Sequence, residues 1–577
     1  MTPQQLFRAL VASGDVVADK LDEISARAPD RTFIYYGEED RPVSYAEFRR
    51  EADRLAAGLA ALGVQPDDRI SVFTRNSYIA ALAMFAAWRA GAVYCPVNFL
   101  YTGKLLTHQL ADTAPKVLLT DVNMSSVLAP ILGELRLPKL VMHLPRESDH
   151  DFTGASMPPS LARATTVHRL DDVMATSGHF TPVARGYGDV ANIVYTSGTT
   201  GPAKGVVQPF RWINQYTFLY RQLLNADDTL YCDLPMYHVG GAFFRVAKAA
   251  WLGATVALYD KFSSTHFWQR IERSGATHAI LLDVMVPWLM SAPHEAHERQ
   301  NALKMVHMQP LPPNHNDVAR RFGIDFVTCG FGQTESGLGF LSLIEECPEG
   351  TGTAAAQWRG RPRGDILSSA AAHGVMRVDG TASLKKGFMG KPCALFDVCL
   401  LDDADAALPD GEIGQLAIRP RFPELLLKTY FNRSEAMLKA CSNLWFHTGD
   451  ACSRDADGVY HFVDRMGDVF RVRGEKVSSY TIEALLNEHP KIRATAAVAV
   501  PAAVGEEEDC AVFVQLIEGE SLSADALLEH AREIMPRYMV PKYVRFIDAL
   551  PLTPTNKIEK YKLRQRLLEE LRSGTSA

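Results

Sequence analysis

The sequence predicts an α/β protein with a large N-terminal part built on mainly parallel sheets, followed by a small C-terminal α+β domain. Through most of the chain, short apolar runs rich in β-branched residues alternate with helical stretches, the pattern of parallel strands joined by crossover helices. From about residue 467 the units shorten, and alternating strands sit close to a single amphipathic helix. The 577 residues are 47 % apolar, 22 % charged and 9 % aromatic, a globular composition with material for several cores. The expected division is 1–465 and 466–577.

In order, Ser44 and Glu47 form a capping-box pattern, and Leu55, Leu59 and Leu62 continue at helical spacing until Gly63 stops the helix. Ile70–Phe73, Lys116–Leu119, Ile193–Tyr195 and Val256–Leu258 read as strands, and Ala80–Arg89 as a helix. Leu144–Asp189 mixes Pro, Ser, Gly and His without period and reads as a long surface connection. Cys347–Lys386, rich in Ala, Gly and Arg, reads as a flexible insertion or a loop over a site. In the C-terminal domain, Cys510–Leu516 and Val544–Ile547 read as strands and Ala524–Ile534 as a helix.

The net charge of −7 and the lack of any long Lys/Arg run argue against nucleic acid as a partner. Nine cysteines without a C-x-x-C pair fit a reduced, cytoplasmic compartment. The longest apolar run, Tyr78–Trp88, has 11 residues, too few for a membrane span, and the N-terminus lacks the order of a signal peptide.

The most informative segment is Tyr195-Thr196-Ser197-Gly198-Thr199-Thr200-Gly201-Pro202-Ala203-Lys204-Gly205. It follows an apolar strand and precedes a helix with Trp212, Ile213, Tyr216 and Tyr220 on one face. Hydroxyls, glycines and a lysine in one loop suit polyphosphate, and a Gly/Ser/Thr linker is the plain alternative. Neither G-x-x-x-x-G-K-[ST] nor G-x-G-x-x-G can be laid on it.

This loop resembles the signature of the adenylate-forming superfamily, which includes acyl-CoA synthetases, firefly luciferase and peptide-synthetase adenylation domains. Five further motifs follow in that family's order. Leu234-Pro235-Met236-Tyr237-His238 is similar to the aromatic-gate motif, and Gly330-Phe331-Gly332-Gln333-Thr334-Glu335 to the adenine and magnesium motif. Trp445–Asp450 resembles the ribose motif, Phe462–Arg465 with Gly474–Val477 the hinge and the loop after it, and Leu550–Ile558 the motif of the catalytic lysine. Within the superfamily the likeness is greatest to fatty-acid-type and carnitine-type CoA ligases.

The resemblance implies two half-reactions, in which a carboxylic acid and MgATP give an acyl adenylate and pyrophosphate, and a thiol then displaces AMP. It assigns Thr196, Ser197, Gly198, Thr199, Thr200, Gly201 and Lys204 to the phosphates, and Phe331, Gly332, Gln333 and Thr334 to adenine. Asp450 and Arg465 go to the ribose and Glu335 to Mg²⁺, which prefers one or two carboxylates alongside phosphate oxygens. Lys557 becomes the catalytic cation on a mobile C-terminal lid, Gly474 the close approach to pantetheine, and His238 a gate. ATP, Mg²⁺ and coenzyme A are the implied cosubstrates, a carrier protein is the alternative acceptor, and a homodimer is left open.

Several positions depart from the family pattern. Ala203 separates Pro202 from Lys204, Pro209-Phe210 stands where Ser or Thr followed by His is common, and Asn556 replaces the glycine before Lys557. His307–Pro313 replaces a glycine-rich segment, and Gly467 stands for an acidic hinge residue. His294, Glu295, His297 and Glu298 lack the spacing of a zinc helix. Tyr237–Phe244 holds no carboxylate to bind an ammonium, so an apolar monocarboxylic acid is the expected substrate, lined by Trp212, Phe243 and Phe244 unless these are plain core. An inactive, binding-only relative is the reading from a different class.

Overall fold

The computed structural model describes the chain except residues 136–137, 177–179, 197–202, 283–284, 295–297, 467–468, 473–474, 502–507, 536, 538, 553–557 and 574–577. It divides into two compact units. The first comprises Met1–Thr196, Ala203–Asp397 and Arg419–Lys439, and the second includes Val398–Ile418 and Ala440–Ala577.

Two sheets organise the first unit. One has nine strands, and its six central members run parallel in the order Phe326–Gln333, Met305–Met308, His278–Leu281, Thr229–Cys232, Thr255–Leu258 and Thr32–Tyr36. The other has eight, with Val190–Thr196, Val93–Pro96, Arg69–Phe73, Val117–Asp121, Lys139–His143 and Val167–Arg169 parallel. Near-continuous apolar strands such as Val117–Asp121, buried at every position, are what a parallel sheet covered on both faces requires.

Helices lie between the sheets. Ser77–Arg89 is apolar all round and buried at every residue, as a helix enclosed on all sides must be. Its last residue, Arg89, is tolerated there because its Nε donates to Asp53 at 2.6 Å. Phe210–Arg221 continues directly from the strand Lys204–Pro209 of the eight-stranded sheet, and Gln215 donates to the Leu338 carbonyl of the nine-stranded one at 2.7 Å. The early helix is Tyr45–Ala61, with Ser44 accepting from the Glu47 amide at 3.2 Å, and Gly63 beyond it takes a φ of +87°.

Three local expectations differ from what forms. Leu144–Asp189 is not wholly a surface connection: it carries the helices Pro159–Ala164 and Leu170–Met174 and the edge strand Val167–Arg169. Single residues, Leu161, Leu170 and Val173, anchor these pieces in the core, which is too sparse a pattern to show a period.

Cys347–Lys386 is likewise part of the fold, with a helix Arg363–Ala372 and a strand Met376–Asp379 that pairs parallel to Gly337–Glu345. It is fastened by polar contacts as well as by the buried Ile366 and Ala370. Arg363 donates to Asp325 at 2.9 Å, and the Arg359 and Arg361 carbonyls accept from the buried Lys304. The third difference is at the phosphate loop, whose C-terminal arm enters a strand, Lys204–Pro209, before the helix begins.

In the second unit, Ile413–Pro420, Phe446–Arg454 and Tyr460–Arg465 pair antiparallel. A three-stranded sheet of Ile492–Pro501, Glu508–Leu516 and Tyr543–Phe546 follows. Its residues alternate between two cores, because side chains of a strand point to opposite faces. Ala497, Val512 and Val514 pack with helices Ser479–Leu486 and Ala524–Ile534, whereas Ala496, Val498 and Phe513 pack with Leu563 and Leu567 of Lys560–Ser573.

Candidate active site

The loop 197–202 joins two antiparallel strands, with Thr196 paired to Lys204 and Tyr195 to Gly205 at its base. Ser197, Gly198, Thr199, Thr200 and Gly201 themselves lie outside the described residues, as do Gly467, Gly474 and Lys557. At the base, Lys204 Nζ lies 5.2 Å from the Tyr430 ring centre, and the Tyr430 hydroxyl donates to Glu335 Oε1 at 3.1 Å. Lys204 and Glu335, the expected phosphate and metal residues, therefore meet the same tyrosine, one over its ring and one at its hydroxyl.

Glu335 follows the strand Phe326–Gln333, in the turn to Gly337–Glu345, and its neighbourhood is fixed through carbonyls. Gln208 donates to the Thr334 carbonyl at 2.8 Å, while Trp212 Nε1 and the Leu427 amide donate to that of Glu335 at 3.2 and 2.8 Å. The main chain is thus held by three donors while the half-buried carboxylate accepts from Tyr430. A single carboxylate would fit Mg²⁺ brought in with ATP, an ion usually bound by one or two carboxylates together with substrate phosphates.

Phe331 is buried and meets Phe340 edge to face at 6.0 Å. A register shift falls between Phe331 and Gly332, and a bulge of this kind re-aims side chains at the end of a strand. Gly332 is required by the sheet itself, because a Cβ there would come within 2.7 Å of the Gly337 carbonyl oxygen. Gln333 is half-buried and Thr334 buried. These residues lie at the carboxyl end of a parallel strand, where open α/β sheets bind ligands.

His238 is exposed and caps a short helix, Val239–Gly241, its Nδ1 accepting from the Gly240 amide at 3.1 Å. That bond makes Nε2 the N–H of the neutral ring. Tyr237 beside it packs on Phe99 at 5.0 Å.

In the second unit, Asp450 and Arg465 are register partners, and their side chains meet at 2.7 Å with Asp450 almost fully enclosed. The pairing leaves Arg465 39 % exposed, so the aspartate is held and oriented while the guanidinium stays reachable. Asp464 next to it receives Ser478, Ser479 and the Tyr480 amide at 2.7 to 3.0 Å, tying the strand Tyr460–Arg465 to the helix that begins at Ser479. Of the C-terminal lysines, Lys560 pairs with Glu483 at 2.9 Å and Lys562 with Glu559 at 2.5 Å. Among the described residues no group of three or more His, Cys, Asp or Glu could hold a metal, no helix is long and apolar enough to cross a membrane, and all nine cysteines are free thiols.

Gln208, Tyr430 and Leu427 were not legible as site residues. Gln208 sits in an ordinary strand, and Tyr430 and Leu427 lie more than 90 residues from Glu335, so only the fold brings them to it.

The first unit brings Lys204 and Glu335 to Tyr430 at the end of a parallel sheet, and the second carries an Asp450/Arg465 pair, each a feature of a nucleotide-using α/β enzyme. The chain belongs to the AMP-binding enzyme family, whose model matches residues 21–431, and the AMP-binding enzyme C-terminal domain matches 481–557. Curated relatives include the crotonobetaine/carnitine–CoA ligase of Proteus mirabilis, 26 % identical over 534 residues, covering 91 % of this chain and 93 % of that one. The protein of that name from Salmonella arizonae is 26 % identical over 572 residues, covering 96 % and 100 %. Similar folds include ATP-bound MatB from Rhodopseudomonas palustris (TM-score 0.73, 22 % identity, 95 % of this chain and 98 % of that one). The o-succinylbenzoate CoA synthetase of Bacillus subtilis with its acyl-adenylate intermediate is another (TM-score 0.72, 21 % identity, 94 % and 97 %).

Proposed function

We propose that this AMP-binding enzyme is an ATP-dependent acyl-CoA ligase. A carboxylate oxygen of the acid attacks the α-phosphorus of ATP, the bond to the bridging oxygen breaks, and pyrophosphate leaves. The thiolate of CoA then attacks the acyl carbon, the bond to the AMP oxygen breaks, and the thioester and AMP are released. The observation that supports this reading is the Lys204–Tyr430–Glu335 arrangement beside the 197–202 segment, which brings a lysine and a carboxylate to one tyrosine. Preorganised charge of this kind supplies most of the catalysis in phosphorus chemistry.

Within that reading, loop residues 197–201 with Thr196 and Lys204 hold the phosphates, and Glu335 takes Mg²⁺. Phe331, Gly332, Gln333 and Thr334 face adenine, and Asp450 with Arg465 takes the ribose diol. Lys557 neutralises the transition state, a role that its neighbours Lys560 and Lys562 are poorly suited to because each is committed to a glutamate. Residues 466–577 turn about Gly467 so that Gly474 replaces Lys557 for thiol transfer, with His238 guarding the thiol route. CoA, rather than a carrier protein, is the acceptor, in keeping with the names of the relatives. Nine free thiols suit a reducing cytoplasm.

Pyrophosphate release from a panel of acids, with and without CoA, tests the reading. Release with an acid and MgATP, followed by CoA-dependent AMP formation, is expected. Release without any CoA dependence would remove CoA as acceptor.

A further inference from the structure

The helical segment that starts at His238 runs inward through a π-helical stretch, Ala242–Ala247, to Leu252. π-Helical turns cost hydrogen-bond geometry and recur at functional sites. Arg245 lies within this one and Lys248 directly after it, both with no exposed surface.

Neither is satisfied by the fold. All three guanidinium nitrogens of Arg245 and the Lys248 ammonium lack a hydrogen-bond partner, and neither side chain makes an ion pair among the described residues. Lys248 instead rests 3.7 and 3.8 Å from the Tyr220 and Phe244 ring centres. The surrounding groups supply no counter-charge. His307 bonds to Thr328 and Gln309, and burial pushes it down to about 3. His278, with a free Nε2, is held neutral in the same way. The one carboxylate acting on Arg245, Asp233, is raised to about 6 by burial and makes no ion pair with it.

At the rim of this cluster, Tyr216 and Gln309 keep solvent-accessible surface, and Tyr216 stacks on Trp212, whose indole holds the Glu335 carbonyl. The cluster is therefore contiguous with the site. A buried guanidinium without an anion is rarely left unmet by a fold, since a buried charge is paired, binds a ligand or is neutralised. The Lys248 amine beside it is pushed well below its usual range by burial and by Arg245.

We infer that the acid activated by this enzyme carries a second anionic group, a carboxylate or similar oxyanion, which the Arg245 guanidinium takes in a two-pronged hydrogen bond with the Lys248 amine as a neighbouring donor. The inference rests on the acid-ligase reading above and replaces the apolar monocarboxylic acid expected from Trp212, Phe243 and Phe244. Of these, Trp212 and Phe243 are packed core, 6.0 Å apart. A planar guanidinium matches a carboxylate fork, whereas a trimethylammonium acid would be repelled.

The test uses the full chain, with straight-chain diacids from succinic to sebacic, the monoacids of equal length and a trimethylammonium acid. Wild type is expected to release pyrophosphate with its best diacid at a kcat/KM at least tenfold above the matched monoacid, and Arg245→Met to invert that ratio by tenfold or more. In melting experiments that need no turnover, the best diacid at millimolar concentration should raise the Tm of wild type but not of Arg245→Met or Lys248→Met, and ligand-free Arg245→Met should melt no lower than wild type. A wild-type preference for monoacids or for the trimethylammonium acid, or an Arg245→Met protein that fails to fold or melts well below wild type, would overturn the proposal. If no acid releases pyrophosphate, the ligase reading falls, and the melting shifts still decide the anion site: a diacid shift lost in the variants upholds it, and no shift sinks it.

Discussion

Lys304 and Lys248 are both lysines of the first unit with no exposed side-chain surface, and their surroundings are opposite. Lys304 Nζ pairs with Asp228 at 2.8 Å and donates to the Arg361 and Arg359 carbonyls. Asp228 in turn accepts from Thr277 and from the amides of Asn225 and Arg361. Lys248 and its neighbour Arg245 have none of this. A charge that serves the fold is met by the fold, as at Lys304, and the price of burying it is offset within the chain. A charge the fold leaves unmet is neutralised or awaits an anion, and the inference above assigns Arg245 to the second case.

That contrast breaks if the two kinds of cation respond alike to removal. The largest effect is expected at Lys304. Lys304→Met leaves Asp228 buried without its cation and should cost about 3–5 kcal/mol of stability, read in urea melts, against little or no loss for Arg245→Met. Equal losses would erase the distinction.

A ligand-addressed cation should act on rate and not on stability. Lys557→Ala is expected to slow adenylate formation on the order of 10²-fold or more while leaving transfer from supplied acyl adenylate to CoA and the melting temperature nearly unchanged. Gly474→Leu should do the reverse, obstructing the thiol and sparing ATP. Equal loss in both half-reactions for both variants would sink the alternating use of the C-terminal domain.

Glu335→Gln sharpens the comparison from the anionic side. It should raise the Mg²⁺ requirement of adenylation by roughly tenfold, with the fold intact because Gln208, Trp212 and Leu427 hold main-chain carbonyls and not the carboxylate. An unchanged magnesium dependence would remove Glu335 from the metal site.

A further comparison is a cation the fold meets near the surface. Burial alone would lower the pKa of His150, but the hydrogen bond and charge of Asp260 at 2.8 Å, with Glu39 at 3.1 Å, outweigh it and raise the ring from 6.5 to about 9. A raised folded pKa stabilises fully below about 6.5, and the gain disappears as pH rises through about 9. The stability difference between wild type and His150→Gln should therefore be largest at pH 6 and vanish by pH 10. A difference independent of pH would show that His150 acts by packing alone.

The sequence by itself determined the α/β class, the strands and helices with strong periods, such as Tyr45–Ala61 and Ala524–Ile534, and the order of the nucleotide motifs. These are local properties, because period and loop chemistry are written in consecutive residues. Tertiary structure alone decided what lies far apart in the chain: Tyr430 bridging Lys204 to Glu335, Gln208 holding the Thr334 carbonyl, and the edge strand Met376–Asp379. It also decided which lysines are paired. Nothing in the neighbouring letters distinguishes Lys304 from Lys248, because whether a buried charge meets an anion depends on which distant strand or loop the fold lays beside it.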